Sequence, residues 1–197
     1  CTLRDIFKCI LFTILETSMA VGSLEPVSSA VINTVDLDRC EEVEAKHELV
    51  RQFLRSQKFD ALLFRKPSNF AWFTCGGDSR LPGSDESAAS LFISSDARLL
   101  ICNNTNSGQL FDKEVSGLGF QLKERPWQES YEGLLKDLCR GRDMGTDTPM
   151  AQTEDISNLL PALRTELSEF EQARMRELGR DLAHAIEATA RGFNQGD

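Results

Sequence analysis

Six cysteines (Cys1, Cys9, Cys40, Cys75, Cys102, Cys139) and two histidines (His47, His184) are the residues of this 197-residue chain best suited to hold a metal or attack a carbonyl. No two cysteines have the two-residue gap of a zinc knuckle or redox pair, and neither histidine has a second ligand-type residue at i+4. Spacing therefore assembles no metal site. Gly76-Gly77 lacks the Lys and Ser/Thr that complete a phosphate loop. Cys75 and His184 could make a nucleophile pair, but nothing around Cys75 marks a nucleophile, and a buried inert thiol is the commoner state. Asp60, Asp78, Asp96 and Asp147 stand at predicted strand ends, where carboxylates could hold two metal ions for phosphodiester cleavage. Turn and cap chemistry is the favoured reading, because Asp readily bonds its own backbone. Trp72 and Trp127 read as core or interface aromatics, and Trp72 with Arg80 could line a recognition surface.

Charge narrows the partners. Asp plus Glu number 31 against 22 Lys plus Arg, a net charge of −9. Such a surface repels phosphate backbones, so neither nucleic acid nor an anionic membrane is expected as partner. No uncharged apolar run approaches the ~20 residues that span a bilayer. The chain is long enough for a core without disulfides, and reduced thiols in the cytoplasm are expected. Residues 1–35 carry five charges and residues 36–60 carry twelve, which sets a boundary near 36. Within the leader, Lys8 precedes the apolar run Cys9–Leu15, a signal-peptide feature. Glu16 interrupts that run and no clear cleavage site follows, so an amphipathic helix or a non-native leader is favoured. Cys1 in place of Met, and Asp197 after a Gly, read as cut ends of a fragment.

Beyond residue 36 the pattern predicts alternating helices and strands. Asp38 with Glu41 has capping-box spacing, and Val43, His47, Val50 and Leu54 then share a helical face, with His47 a half-buried core-edge residue. Ala61–Phe64 reads as a buried strand, Pro67–Asn69 as a break, Phe70–Thr74 as a second strand, and Asp78–Glu86 as a polar loop. Ser90–Ser94 and Leu99–Cys102 should pair as a hairpin. Gln109–Val115 reads as a short helix, Gly119–Lys123 as a strand, Gln128–Arg140 as a helix, and Met144–Asp147 as a short edge strand or turn. Ile156–Leu167 carries a helical pattern that Pro161 starts or kinks. Ser168 with Glu171 makes a second capping box, opening a long helix to about Gly192. The order implies an α/β sandwich around a mixed sheet flanked by helices.

Two runs carry a family resemblance. Asp60-Ala-Leu-Leu-Phe64 followed by Asn69-Phe-Ala-Trp-Phe-Thr-Cys-Gly-Gly77 resembles the N-terminal domain of the creatinase/prolidase/aminopeptidase P family, the pita-bread metallopeptidases. Gly145-Thr-Asp147, the pair Leu163-Arg164 and the helix from Ser168 fit the same order. Residues 176–187 are similar to the first helix of that family's catalytic domain. The resemblance covers roughly residues 38–197 and rests on order and spacing.

What it implies is a mixed sheet with flanking helices, related to the ribonuclease H-like motif. By resemblance the domains are a leader over 1–35, an N-terminal domain over 36–167, and over 168–197 a linker with the first helix of a truncated catalytic domain. The family's chemistry is hydrolysis, mostly of an amide bond before proline, by two divalent metal ions, often manganese. Their ligands lie in the catalytic domain, so no catalytic or metal residue carries over, and this chain alone is expected to be inactive. The family role of such a domain is dimer contact and closure of the substrate entrance. That implies a homodimer and a peptide substrate for the whole protein. Asn69, Trp72 and Arg80 become candidates for the entrance rim, against plain roles of turn residue for Asn69 and core residue for Trp72. Cys75 interrupts the Thr-Gly stretch, and Leu167-Ser-Glu169 replaces the basic residue often found at the linker. Creatine-type substrates therefore stay open beside Xaa-Pro peptides. The alternative is a metal-free relative acting as a protein-interaction module.

Overall fold

The computed structural model describes residues 36–193 apart from Pro82. The leader readings over 1–35 lie outside the described residues. Helix α1 (Leu37–Gln57) is capped by Asp36, whose carboxylate accepts from Arg39 N at 3.1 Å. Asp38, predicted as the cap, falls in the first turn instead, where its charge complements the macrodipole. Val43, Val50 and Leu54 are buried as the stripe predicts, and Lys46 is buried with them; His47, expected half-buried, is fully buried, its Nε2 lying 2.8 Å from the Ser94 carbonyl.

Strand β1 (Ala61–Phe64) is buried at every position. Leu62 and Phe64 enter one core while Ala61 and Leu63 enter another, the two-residue alternation of a strand covered on both faces. Helix α2 (Pro67–Phe73) follows. The hairpin forms as predicted from β2 (Ala89–Ser94) and β3 (Arg98–Asn103), with Ala89 opposite Cys102 and Ile93 opposite Arg98. A short α3 (Ser107–Gln109) runs into a π turn, Leu110–Glu114. Then come β4 (Gln121–Arg125), α4 (Tyr131–Cys139), β5 (Met144–Thr146), β6 (Glu154–Asp155), α5 (Leu160–Arg164) and α6 (Glu169–Gly192).

The sheet order is β4-β3-β2-β1-β5-β6. Only β2 is antiparallel to its neighbours; the other adjacent pairs are parallel. One face packs against apolar residues of α1, α2 and α5, the other against Leu134, Leu135 and Cys139 of α4. The result is the expected mixed sheet flanked by helices, ending in a long C-terminal helix.

Three local expectations are corrected. Phe70–Thr74 is not a strand: Phe70 and Phe73 lie on the buried face of α2. Pro67 stands in that helix's first turn, where its fixed φ suits the helix and its missing N–H costs nothing. A four-residue apolar run does not distinguish the two periods, so packing decides. Met144–Thr146 is an interior strand, because β6 covers its outer side. The helical pattern over 156–167 shrinks to five residues beginning beside Pro161. Ser168 and Glu171, in contrast, make the full reciprocal capping box.

Candidate functional site

The sheet order reverses between β1 and β5, and both strands point their C-terminal ends to the same side. In open α/β sheets that crevice is where ligands bind. Here Asp147 fills it. Its fully buried carboxylate accepts from Arg65 N at 2.8 Å, Lys66 N at 3.0 Å and Asn69 Nδ2 at 2.7 Å. These donors sit at the start of α2, so the protein's own anion occupies the seat a bound anion would take. Asn69 Oδ1 in turn accepts from Arg164 Nη1 at 2.8 Å. Asn69 is thus a buried link between α2 and α5, with 4 % of its surface exposed.

Trp72 and Arg80 lie nearer solvent but line different grooves. Trp72 is half-buried and borders a groove of about 420 Å³ with Lys46, Cys75, Gly76, Phe170 and Met175. Arg80 is exposed and borders a groove of about 630 Å³ with Lys66, Asp78 and Asp85. Ala71 and Gly76 line both. Arg80 forks onto Asp78, with Nε–Oδ1 and Nη2–Oδ2 both 2.9 Å. Hydrogen bonds from Arg80 hold the Asp78 carboxyl below its ordinary range.

Lys46, which the sequence reading passed over, is the most committed charge in this region. Its ammonium donates to the Trp72 carbonyl at 2.8 Å and to Glu171 Oε1 at 2.7 Å, with Glu42 at 3.5 Å. It also lies 5.4 Å from the Trp72 ring centroid. The available signal was its position within the apolar stripe of α1, where a lysine needs partners to be buried.

The other chemical candidates are not brought together. Burial pushes the Cys75 thiol up to about 11, the opposite of an activated nucleophile. His184 sits on the exposed part of α6. Asp60 accepts from Asp143 N, Asp78 pairs with Arg80, and Asp147 holds the start of α2. Among the described residues no three His, Cys, Asp or Glu side chains form a group able to hold a metal ion. The carboxylates among the described residues do not fit the dinuclear ligand set that the resemblance implies for the catalytic domain. Trp127 is 63 % exposed and packs in no core cluster.

No family model and no curated protein matches the sequence. The fold does match solved structures. An Xaa-Pro dipeptidase from Bacillus anthracis superimposes with TM-score 0.58 at 15% identity, over 79% of this chain and 45% of its own. The prolidase from Pyrococcus horikoshii OT3 gives TM-score 0.53 at 14% identity, over 78% of this chain and 44% of its own. A dipeptidase, PepE, from Mycobacterium ulcerans gives 0.52 at 10% identity, over 66% and 38%. The chain thus spans less than half the length of these proteins, and shares with them the α/β fold of that portion.

Proposed function

We propose that this chain is the non-catalytic N-terminal domain of an Xaa-Pro-type metallohydrolase, an aminopeptidase or dipeptidase. In this reading residues 36–167 form that domain, and 168–197 lead into a catalytic half that carries the two divalent metal ions and cleaves the peptide. The domain contributes to a homodimer and to the substrate entrance. Trp72 and Arg80 are its rim residues, whereas Asn69 supports them from the interior.

The observation that carries this reading is the exposed apolar side of α6. Met175, Leu178, Leu182 and Ile186 are each 58–67 % exposed, at the spacing of one helical face, and Phe193 just past the helix end is exposed as well. A stripe of that length is the seat of further protein. The fold match to an Xaa-Pro dipeptidase of whose length this chain covers only 45% supports a catalytic half as its cover.

The test is an assay of any longer polypeptide that its gene encodes, with manganese and an Xaa-Pro dipeptide. Chelator-sensitive hydrolysis is expected from that protein and none from the 197-residue chain. In the active protein, Trp72→Ala and Arg80→Ala should each raise KM several-fold and leave kcat nearly unchanged, as uniform substrate binding requires. A longer protein that neither binds metal nor hydrolyses the peptide would leave the interaction module as the reading.

A further inference from the structure

The first turn of α6 is tied to the body of the domain through one buried charge. Lys46 Nζ, on a side chain only 4% exposed, holds two separate elements at once: the Trp72 carbonyl at the end of α2, and Glu171 Oε1 in α6. The two oxygens of Glu171 divide the work. Oε1 faces Lys46, and Oε2 accepts from Ser168 N at 3.1 Å, closing the capping box. One carboxylate therefore both starts the helix and fastens it.

Little else fastens it. Arg174 reaches Asp36 at 3.3 Å, but both side chains are about half exposed. From Ala173 to Phe193 every residue is exposed. A surface pair of this kind contributes little, because water screens it. A buried ammonium that loses a partner has no water to replace it.

The turn beyond Trp72 is poised to feel such a loss. Cys75 is held in the left-handed region at φ 56°, and Gly76 follows at φ 107°. Gly77 has no free space: a Cβ there would meet Thr74 Oγ1 at 2.6 Å. A non-glycine residue stays left-handed only where its surroundings impose it. Cys75 N donates to the same Trp72 carbonyl that Lys46 holds.

We propose that Lys46 is a latch that couples the orientation of α6 to the Trp72–Gly77 turn. When the helix swings, it takes Glu171 from the ammonium, and the constraint on the Trp72 carbonyl relaxes with it. Movement of whatever rides on α6 is thereby transmitted to the surface around Trp72. The coupling operates within this chain and needs no catalytic half.

Amide hydrogen exchange on the intact chain tests it. Glu171→Gln keeps a residue that suits a capping box but removes the charge and one acceptor oxygen. Exchange should accelerate roughly tenfold or more both over 169–175 and over 72–77, the second being the signature of coupling. Lys46→Met should accelerate the same two segments. Arg174→Gln, which releases the exposed pairs with Asp36 and Glu177 and the contact with the Phe170 ring but leaves Lys46 and Glu171 joined, should affect 169–175 alone. Unchanged protection of 72–77 in Glu171→Gln would overturn the proposal, whether or not the helix start loosens. So would acceleration of 72–77 in Arg174→Gln equal to that in Glu171→Gln. Lys46→Met could fail to fold; Glu171→Gln, whose side chain is 20% exposed, then decides.

Discussion

Asn69 and Asp147 stand 78 residues apart in sequence and share a buried hydrogen bond of 2.7 Å, the amide Nδ2 donating to the carboxylate Oδ2. The same carboxylate receives two backbone N–H groups, so it closes the start of α2 and joins the ends of β1 and β5. Removing it leaves one buried and two partly buried donors without their acceptor. Asp147→Ala should therefore lower unfolding stability by about 3 kcal/mol or more, with Asp147→Asn in between. Urea denaturation reads both, and a loss below about 0.5 kcal/mol in the alanine variant would contradict this role.

His47 makes stability depend on pH. Its Nε2 lies 2.8 Å from the Ser94 carbonyl, and its Nδ1 is buried with no partner. Burial is the largest influence and lowers its pKa from 6.5; Ser94 and Glu44 pull it up, and Arg51 and Arg98 push it down. The unfolded histidine thus takes up protons at a higher pH than the folded one. The contribution of neutral His47 is fully present above about 6.5 and is lost as pH falls through that value toward the folded pKa. His47→Gln keeps a donor for Ser94 and cannot titrate in that range. Urea midpoints between pH 5 and 7.5 should fall less steeply on acidification in this variant; parallel curves would exclude His47 as the sensor.

Cys75 borders a groove yet should be a poor nucleophile. With its thiol pushed up to about 11 from an ordinary 9.0, its thiolate fraction at pH 8 is about one hundredth of a free cysteine's. Iodoacetamide labelling followed by peptide mass spectrometry should find Cys75 modified far more slowly than a model thiol. Labelling at the model rate would show that burial does not protect it.

Some of this was legible in advance and some was not. Ala61–Phe64, the hairpin at 90–102 and the Ser168–Glu171 box are local signals, each complete within a few residues, and each formed as expected. Phe70–Phe73 was misread because its helix is set from outside the segment, by Pro67 and by the distant Asp147. Asp147 itself was visible only as a carboxylate at a strand end. Lys46 escaped because its partners Trp72 and Glu171 lie 26 and 125 residues away. Long-range polar pairs leave no periodic trace in a sequence, and here they define both the crevice and the groove.

The apolar side of α6 should be dispensable to this domain's own stability. Leu178 and Leu182 are more than half exposed, and α6 has no buried residue. Leu178→Glu and Leu182→Glu should each shift stability by no more than about 0.5 kcal/mol. They should also reduce binding of a hydrophobic dye. A larger destabilisation would mean that the stripe is already packed against something in solution.

Geometry gives α6 one more property. Some 20 of its residues lie beyond the exposed boundary at Ala173, and at 1.5 Å each they reach about 30 Å. A tilt of only ~10° at the base would sweep the far end through ~5 Å, about the rise of one helical turn. The helix is a mechanical amplifier, and the precision with which its tip is aimed rests on the few contacts at its foot.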